Sequence, residues 1–372
     1  MNIKQVLKIV VFNLIFVLLL MSVTYVIRTN GDIKDIFTGF YAQKKNTVDV
    51  VMIGSSPVYP YYAAPKIFGE TGITAYPLSS NVQRPSAAIP LIKESLKTQK
   101  PKLYVFEMRM YTYEDGRMFE NMAFARGVTD NMKYSLNRIM TINRMIPSAA
   151  EMKERMKLPE NIDQPEDSYE ERYTYYFDIF KYHSNWKTMI LKDQYSSIFY
   201  SRKNPMEGFV IRDEIDPLSE EEVETNTLYA KRTKANKIPN EQEERLTELF
   251  DFLKKNDLQA LFIVSPYQME EGQMEMYNYL KEKIENNGYT FVNMNEKYDE
   301  IGIDFKTDFY DGGGHVNFLG ARKCTEYLEK LLKEYNLEDH RNDDKYASYQ
   351  QAYEYYLTKE DETLALMCGQ GE

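Results

Sequence analysis

The chain has 372 residues, 43% of them hydrophobic, and a formal net charge of −11 at pH 7. This length suits two domains, or one large domain with an insertion. The acidic balance argues against a nucleic-acid-binding protein, which needs a basic face. Two cysteines and three widely separated histidines exclude a disulfide framework and a cysteine-rich zinc site. We therefore expect neither a metal nor another cofactor.

The first predicted element is a membrane anchor. Residues 9–27 form a run of 19 residues without a charge, which is enough helix to cross a hydrocarbon core of about 30 Å. A cleaved signal peptide is the alternative, but the run exceeds the usual h-region and no small-x-small cleavage site follows it. We predict a cytoplasmic stub and transmembrane helix over 1–28 and a linker over 29–47. Basic residues lie on both sides of the run, so the charge count alone does not give its orientation.

An α/β pattern follows the linker. Short apolar runs indicate strands over 48–53, 72–76, 103–108, 258–264 and 290–294. Helical patterns lie between and after them, over 60–70, 86–97, 270–286 and 318–335. Strands that alternate with helices predict a doubly wound, mostly parallel, three-layer sheet. We assign this α/β domain to residues 48–340.

The pattern changes over 110–245, which we interpret as a largely helical insertion between the two halves of the sheet. Residues 214–225 are acidic and are expected to form a solvated loop. Residues 341–372 read as a polar C-terminal tail without an assigned function. Six aromatic residues in the insertion have roughly helical spacing: Tyr169, Tyr173, Tyr176, Phe177, Phe180 and Trp186. They suit a stacking surface for sugar rings, a lipid-facing ledge, or the apolar face of a helix that packs on the core, and we favour the last.

Two distant segments carry candidate chemistry. The first strand runs into Gly54-Ser55-Ser56, and Asp311 and His315 lie more than 250 residues later, before a predicted helix. A serine nucleophile needs a base within hydrogen-bond reach, and a histidine supplies one when a carboxylate holds its other nitrogen. Each segment alone has a simpler explanation, as a tight or phosphate-binding turn or as a glycine-rich helix cap. Together, near the carboxyl ends of strands, they predict a catalytic site.

These segments resemble the SGNH/GDSL superfamily of serine esterases and acyltransferases. More narrowly, they are similar to its membrane-anchored bacterial branch, which includes the teichoic acid D-alanyl transfer protein and the alginate O-acetylation proteins. The resemblance covers about 48–108 and 258–335. It implies that Ser56, third in its motif, is the nucleophile, and that His315 is the base, followed by Asn317, Gly320 and Ala321 at the helix start.

The chain departs from that family at two points. Three residues separate Asp311 from His315 where the family usually has two, so Asp308 is a rival for the orienting carboxylate. We favour Asp311, because three glycines let the chain fold back. The separate glycine and asparagine motifs that complete the oxyanion hole in that family are not evident in this sequence. The nearest candidates are the backbone N–H of Ser80 and the side-chain amide of Asn81.

The resemblance implies a membrane-anchored acyltransferase or esterase that acts on an acyl ester of a cell-surface polymer through an acyl-serine intermediate. It implies a polysaccharide or teichoic-acid-like acceptor, a multi-span membrane O-acyltransferase as partner, and a globular domain outside the cell membrane. Two other classes stay open. One is an inactive SGNH-like module that binds polysaccharide or scaffolds an envelope complex. The other is an α/β protein that binds a small molecule or phosphate.

Overall fold

The structure is a computed structural model that describes residues 2–115, 123–147, 172–187 and 201–368. Its strands, in chain order, are β1 Val50–Ile53, β2 Ala75–Pro77, β3 Leu103–Glu107, β4 Ala260–Val264, β5 Thr290–Asn293, β6 Phe309–Tyr310 and β7 His315–Val316. Its α-helices up to the middle of the chain are α1 Ile3–Ile27, α2 Asp32–Ala42, α3 Ala64–Thr71, α4 Ala88–Ser95, α5 Ala123–Thr129, α6 Leu136–Met145, α7 Tyr173–Tyr176 and α8 Ile179–Tyr182. The later ones are α9 Glu220–Ala230, α10 Asn240–Lys255, α11 Gln273–Asn286, α12 Tyr298–Ile301, α13 Phe318–Leu332 and α14 Ala347–Cys368.

Five parallel strands form the central sheet, in the order β2-β1-β3-β4-β5. β1 lies between its partners with Val50 opposite both Ala75 and Leu103. All four of its residues are buried, as expected for an apolar strand covered on both faces. The five strands predicted from the sequence are confirmed, each within three residues at its ends.

Helices cover both faces of this sheet. Alternate residues of the strands point to opposite faces; Val51 and Ile53 belong to one apolar cluster, and Val50 and Met52 belong to the other. The first cluster contains side chains of α2, α4, α10 and α11, and the second contains side chains of α3, α13 and α14. The chain is therefore an α/β protein with two helical layers around a parallel sheet.

The helix α1 projects from this body. Its most apolar 18-residue window has a mean hydropathy of 2.7, and none of that window is buried. Its buried side chains are those of Thr24, Tyr25 and Ile27, which lie in the last turn against the rest of the chain. By length and composition, α1 is suited to crossing a membrane.

The insertion contains helices α5–α9 and the start of α10 among its described residues. Residues 220–225, the second half of the stretch expected to be a loop, lie in α9 instead. Ser219 and Glu222 cap that helix reciprocally, since each side chain accepts the other's backbone N–H. Parts of the insertion, including Tyr169, lie outside the described residues.

The predicted core position of the insertion's aromatic residues is wrong for four of them. Tyr173, Phe177, Phe180 and Trp186 are exposed, whereas the neighbouring Tyr175 is buried. The reason is that the segment folds as two single-turn helices, which do not present one continuous apolar face inward.

The segment after residue 340 contains a 22-residue helix, α14. It packs along α3, and Tyr356 of α14 is fully buried with its ring near those of Phe209 and Phe318. His340, just before it, contacts Asp49 at 2.7 Å. The residues described from the sequence as a polar tail thus complete one helical layer.

Candidate active site

The candidate nucleophile lies in the turn after β1. Ser56 is half-buried and precedes α3 by several residues, while Ser55 is buried. The turn depends on Gly54, because a Cβ at that position would lie 2.5 Å from Glu107 Cβ and 2.8 Å from Val58 Cγ2. A glycine therefore allows β3 to approach the chain directly before the serine.

The candidate base approaches Ser56 from the other end of the chain. His315 Nε2 lies 2.7 Å from Ser56 Oγ, and His315 Nδ1 lies 2.7 Å from Asp311 Oδ2. Both distances are those of hydrogen bonds. The three predicted residues thus form one hydrogen-bonded chain, from hydroxyl to imidazole to carboxylate.

A left-handed backbone folds Asp311 back toward His315. Asp311, Gly312 and Gly313 have φ values of +54°, +64° and +86°, a region that glycine adopts without strain. A Cβ on Gly314 would lie 3.0 Å from Asp311 Oδ1. The glycines thus provide both the reversal and the space for the carboxylate.

The rival carboxylate, Asp308, has other partners. It is buried and accepts hydrogen bonds from Lys323 Nζ at 2.5 Å, from Thr307 Oγ1 at 3.0 Å and from the backbone N–H of Asp304 at 2.8 Å. These contacts tie the loop before β6 to α13. The structure brings Asp311, and not Asp308, to the imidazole.

The imidazole is enclosed by two tyrosines. Tyr310 stacks on His315 with 5.6 Å between ring centroids, and Tyr61 meets the ring edge-on at 6.2 Å. The Tyr61 hydroxyl donates to Pro266 O and accepts from Val316 N–H, both at 3.0 Å. Tyr61 therefore ties the loop after β4 to the strand that carries His315.

Burial is the largest influence on the imidazole's protonation. It lowers the pKa of His315 below 6.5, and the nearby Arg109 charge acts in the same direction, while Asp311 opposes both. The lowered pKa keeps the ring neutral at neutral pH, which is the state that accepts a proton from serine.

Asn317 positions the start of α13 behind the imidazole. Its Oδ1 accepts the N–H groups of Leu319 and Gly320, and its Nδ2 donates to three backbone carbonyls, including Thr307 O at 2.7 Å. A Cβ on Gly320 would lie 2.7 Å from Asp308 O. Asn317 and Gly320, which belong to the motif that resembles the SGNH/GDSL superfamily, thus hold the start of α13 against the loop before β6.

Ser80 and Asn81 do not join the hydrogen-bonded chain. The buried Ser80 hydroxyl contacts Gln83 Oε1 at 3.3 Å, and Asn81 Oδ1 accepts from Tyr59 at 2.6 Å. In the described part of the chain, neither residue makes a hydrogen bond to Ser56. Their role as oxyanion donors stays a prediction.

Two residues at the end of β3 were missed by sequence reasoning. Arg109 donates to Gly314 O at 2.8 Å, and its guanidinium lies 3.8 Å from the Tyr267 ring centroid. Glu107 is buried and accepts the backbone N–H groups of Arg109 and Ser265. Their position at a strand's carboxyl end was a usable signal, because such ends form the site edge of parallel sheets.

A cavity of about 400 Å³ lies beside the candidate site. Tyr59, Asn81 and Arg212 line its wall toward the site, and Arg28 and Lys34 line it near the end of α1. The negative charge of Asp311 helps to raise the pKa of Tyr59, although burial is the main cause. One side chain of the cavity wall, Tyr59, is therefore close enough to the candidate carboxylate to feel its charge.

The residues near this edge of the sheet supply the parts that acyl transfer through serine requires: a hydroxyl, a neutral base bonded to it, and a carboxylate bonded to the base. No protein-family model matches the chain, and no curated protein matches it.

Proposed function

We propose that the protein is a membrane-anchored SGNH-type serine acyltransferase or esterase. The observation that carries the proposal is the chain of 2.7 Å contacts from Ser56 through His315 to Asp311. In the proposed reaction, His315 accepts the Ser56 proton while the hydroxyl attacks an acyl carbonyl. Asp311 holds the imidazole in the tautomer that leaves Nε2 free to accept.

The acyl-serine formed in this way is released by a second nucleophile. His315 returns the first proton to the leaving group and then activates the incoming hydroxyl. Water as that nucleophile gives an esterase, and a sugar or polyol hydroxyl gives a transferase. The cavity beside Tyr59 and Arg212 has a volume suited to a small ligand or one unit of a polymer. We propose that the acceptor enters there.

The apolar helix α1 supports the location in this proposal. We propose that it anchors the protein in the cell membrane, with the domain after residue 49 outside. The substrate is then an acyl ester at the cell surface, carried on a polysaccharide or a teichoic-acid-like polymer. A multi-span membrane O-acyltransferase would deliver the acyl group to Ser56.

A fluorophosphonate probe tests the enzymatic part of the proposal, since such probes react quickly only with an activated serine. The full-length protein in detergent should become covalently labelled, and peptide mapping should place the label on Ser56. A protein without activated serine, such as an inactive binding module, stays unlabelled. Partition of an acyl group between water and an added polyol then separates esterase from transferase.

A further inference from the structure

A group of exposed apolar side chains lies beside the membrane helix. We call this group the ledge; it consists of Ile139, Tyr173, Phe177, Phe180 and Trp186. Their exposed fractions run from 46% for Ile139 to 65% for Trp186. A patch of large apolar side chains on a protein surface marks a contact with a partner or with lipid.

The ledge and α1 enclose a common cavity of about 570 Å³. Val17, Leu20 and Met21 line it from α1, and Ile139 and Phe177 line it from the ledge. The polar groups at its inner end are paired, because Arg28 and Arg138 both contact Asp178. The rest of the lining includes Thr24 and Ser135, but the surface that the cavity exposes is mostly apolar.

The length of α1 determines how far inside the membrane this cavity lies. The uncharged run 9–27 has 19 residues, or about 28 Å of helix, and a hydrocarbon core is about 30 Å thick. The whole run is therefore needed to cross the membrane, including Val17 and Leu20. Moving the span one turn toward the N-terminus would place Lys8 in hydrocarbon and still leave both residues inside it.

The end of α1 is also fixed to the ledge side of the protein. Asn185 Nδ2 donates to Ile27 O at 3.0 Å, so the backbone of the adjacent Trp186 lies near the last turn of the helix. That level is the boundary between hydrocarbon and headgroups, where tryptophan is enriched in membrane proteins. Phe177 lines the same cavity as Leu20, which lies about 10 Å deeper along the helix than Ile27.

We propose that the ledge enters the lipid leaflet beside α1, and that lipid acyl chains fill the cavity between them. The inference rests on the proposed anchoring by α1 but not on the proposed catalysis. Its consequence for the candidate enzyme is geometric: the domain is held at two points on the bilayer, so that Ser56 has a fixed height above the membrane surface.

Trp186 provides the test, because it is the only tryptophan in the chain. The full-length protein is reconstituted in phosphatidylcholine nanodiscs whose acyl chains carry bromine at a shallow or a deep position. Shallow bromines should remove most of the Trp186 emission, and aqueous iodide should remove little. Emission that iodide quenches and bromolipids leave unchanged would overturn the inference. Protection from both quenchers would show a protein partner or a second copy on the ledge, which also overturns it.

Two variants in a Trp186→Phe background define depth and anchoring. Phe177→Trp should be quenched more by deep than by shallow bromines, and the reverse order would contradict the placement. Leu18→Trp, in the middle of the uncharged run, should be quenched by deep bromines. Loss of quenching at this position would refute the anchor and the inference together. Fluorophosphonate labelling of the same discs reports separately on Ser56.

Discussion

Asp311 holds His315 at two points. Oδ2 contacts the imidazole Nδ1 at 2.7 Å, and Oδ1 accepts the backbone N–H of the same histidine at 2.9 Å. One carboxylate therefore fixes both the ring and the backbone that carries it. Asp308, three residues earlier, is instead bonded to Lys323. The two aspartates have separate tasks, one at the imidazole and one between the loop and α13.

Replacing each aspartate with asparagine should separate those tasks. Asp311→Asn keeps the shape but no longer holds the reactive tautomer, which in the serine-protease case costs about 10⁴ in turnover. We expect fluorophosphonate labelling to slow by orders of magnitude. Asp308→Asn breaks a buried ion pair, so it should lower the unfolding temperature and change the labelling rate far less. Labelling that depends more on Asp308 than on Asp311 would contradict the assignment.

Ser56→Ala and Ser55→Ala form a matched pair, since they remove the same hydroxyl from adjacent residues. Ser56 contacts His315, whereas Ser55 is 2% exposed and lies inside the turn. We expect Ser56→Ala to abolish labelling and Ser55→Ala to leave most of it. Mass spectrometry of the labelled peptide checks the site directly, and a label on Ser55 would refute the assignment.

The lowered pKa of His315 predicts the pH dependence of labelling. The base must be neutral, so the rate falls as the pH drops through the pKa of His315, which lies below 6.5. The rate should therefore stay constant through neutral pH and decline only in acid. Asp311→Asn removes an influence that raises this pKa, so the inflection should move further into acid. Labelling rate constants over a pH series give the inflection for the wild type and for Asp311→Asn. A wild-type inflection above pH 6.5 would contradict the lowered pKa of His315.

Glu107 should make the folded protein less stable as the pH rises. Burial raises its pKa from 4.5 to about 7, so the unfolded chain ionises first. Between these values the free energy of unfolding should fall by about 3 kcal/mol, and it should then stay constant at higher pH. In Glu107→Gln, which has no carboxyl group at this position, this fall in the free energy of unfolding should be absent. Urea unfolding at about pH 5 and about pH 8 tests it, with the exposed Glu285→Gln as the control that keeps the wild-type difference.

Membrane orientation can be tested with the two cysteines. Cys368 is exposed, and Cys324 is buried with its thiol pKa raised by desolvation. If the domain lies outside the membrane, an impermeant maleimide should label intact cells through Cys368. Cys368→Ser should remove that label, while lysis should leave the wild-type signal unchanged. A signal that requires lysis would reverse the proposed topology.

Strands can be predicted from the sequence where the local hydrophobic pattern agrees with the burial that the fold imposes. β1 and β4 are short apolar runs with both faces covered, so composition alone located them. The Asp311 reversal was also predictable, because successive glycines favour positive φ. α9 was missed, although Ser219 and Glu222 have capping-box spacing. Acidic composition suggests a solvated loop, but the capping-box spacing is the stronger signal for this segment.

The remaining features depend on contacts between distant parts of the chain. Arg109 reaches Gly314 across 205 positions, and no local pattern marks such a pair. The exposure of Phe177 and Trp186 likewise depends on where their short helices sit beside α1. The amide of Asn81 suits an oxyanion donor near a strand end, but its side-chain oxygen accepts from Tyr59. Side-chain type limits what a residue can do, while the tertiary fold selects its neighbour.

The packing of α14 along α3 has a consequence for biosynthesis. Ser56 and His315 have both been synthesised before residue 347, yet the layer behind the nucleophile turn is incomplete until Tyr356 fills the space near Phe209 and Phe318. A nascent chain that stops short of α14 therefore leaves the apolar side chains of α3, Phe209 and Phe318 uncovered. This helical layer is therefore complete only after residue 356 has been synthesised, so the packing behind β1 forms later in translation than the sheet itself.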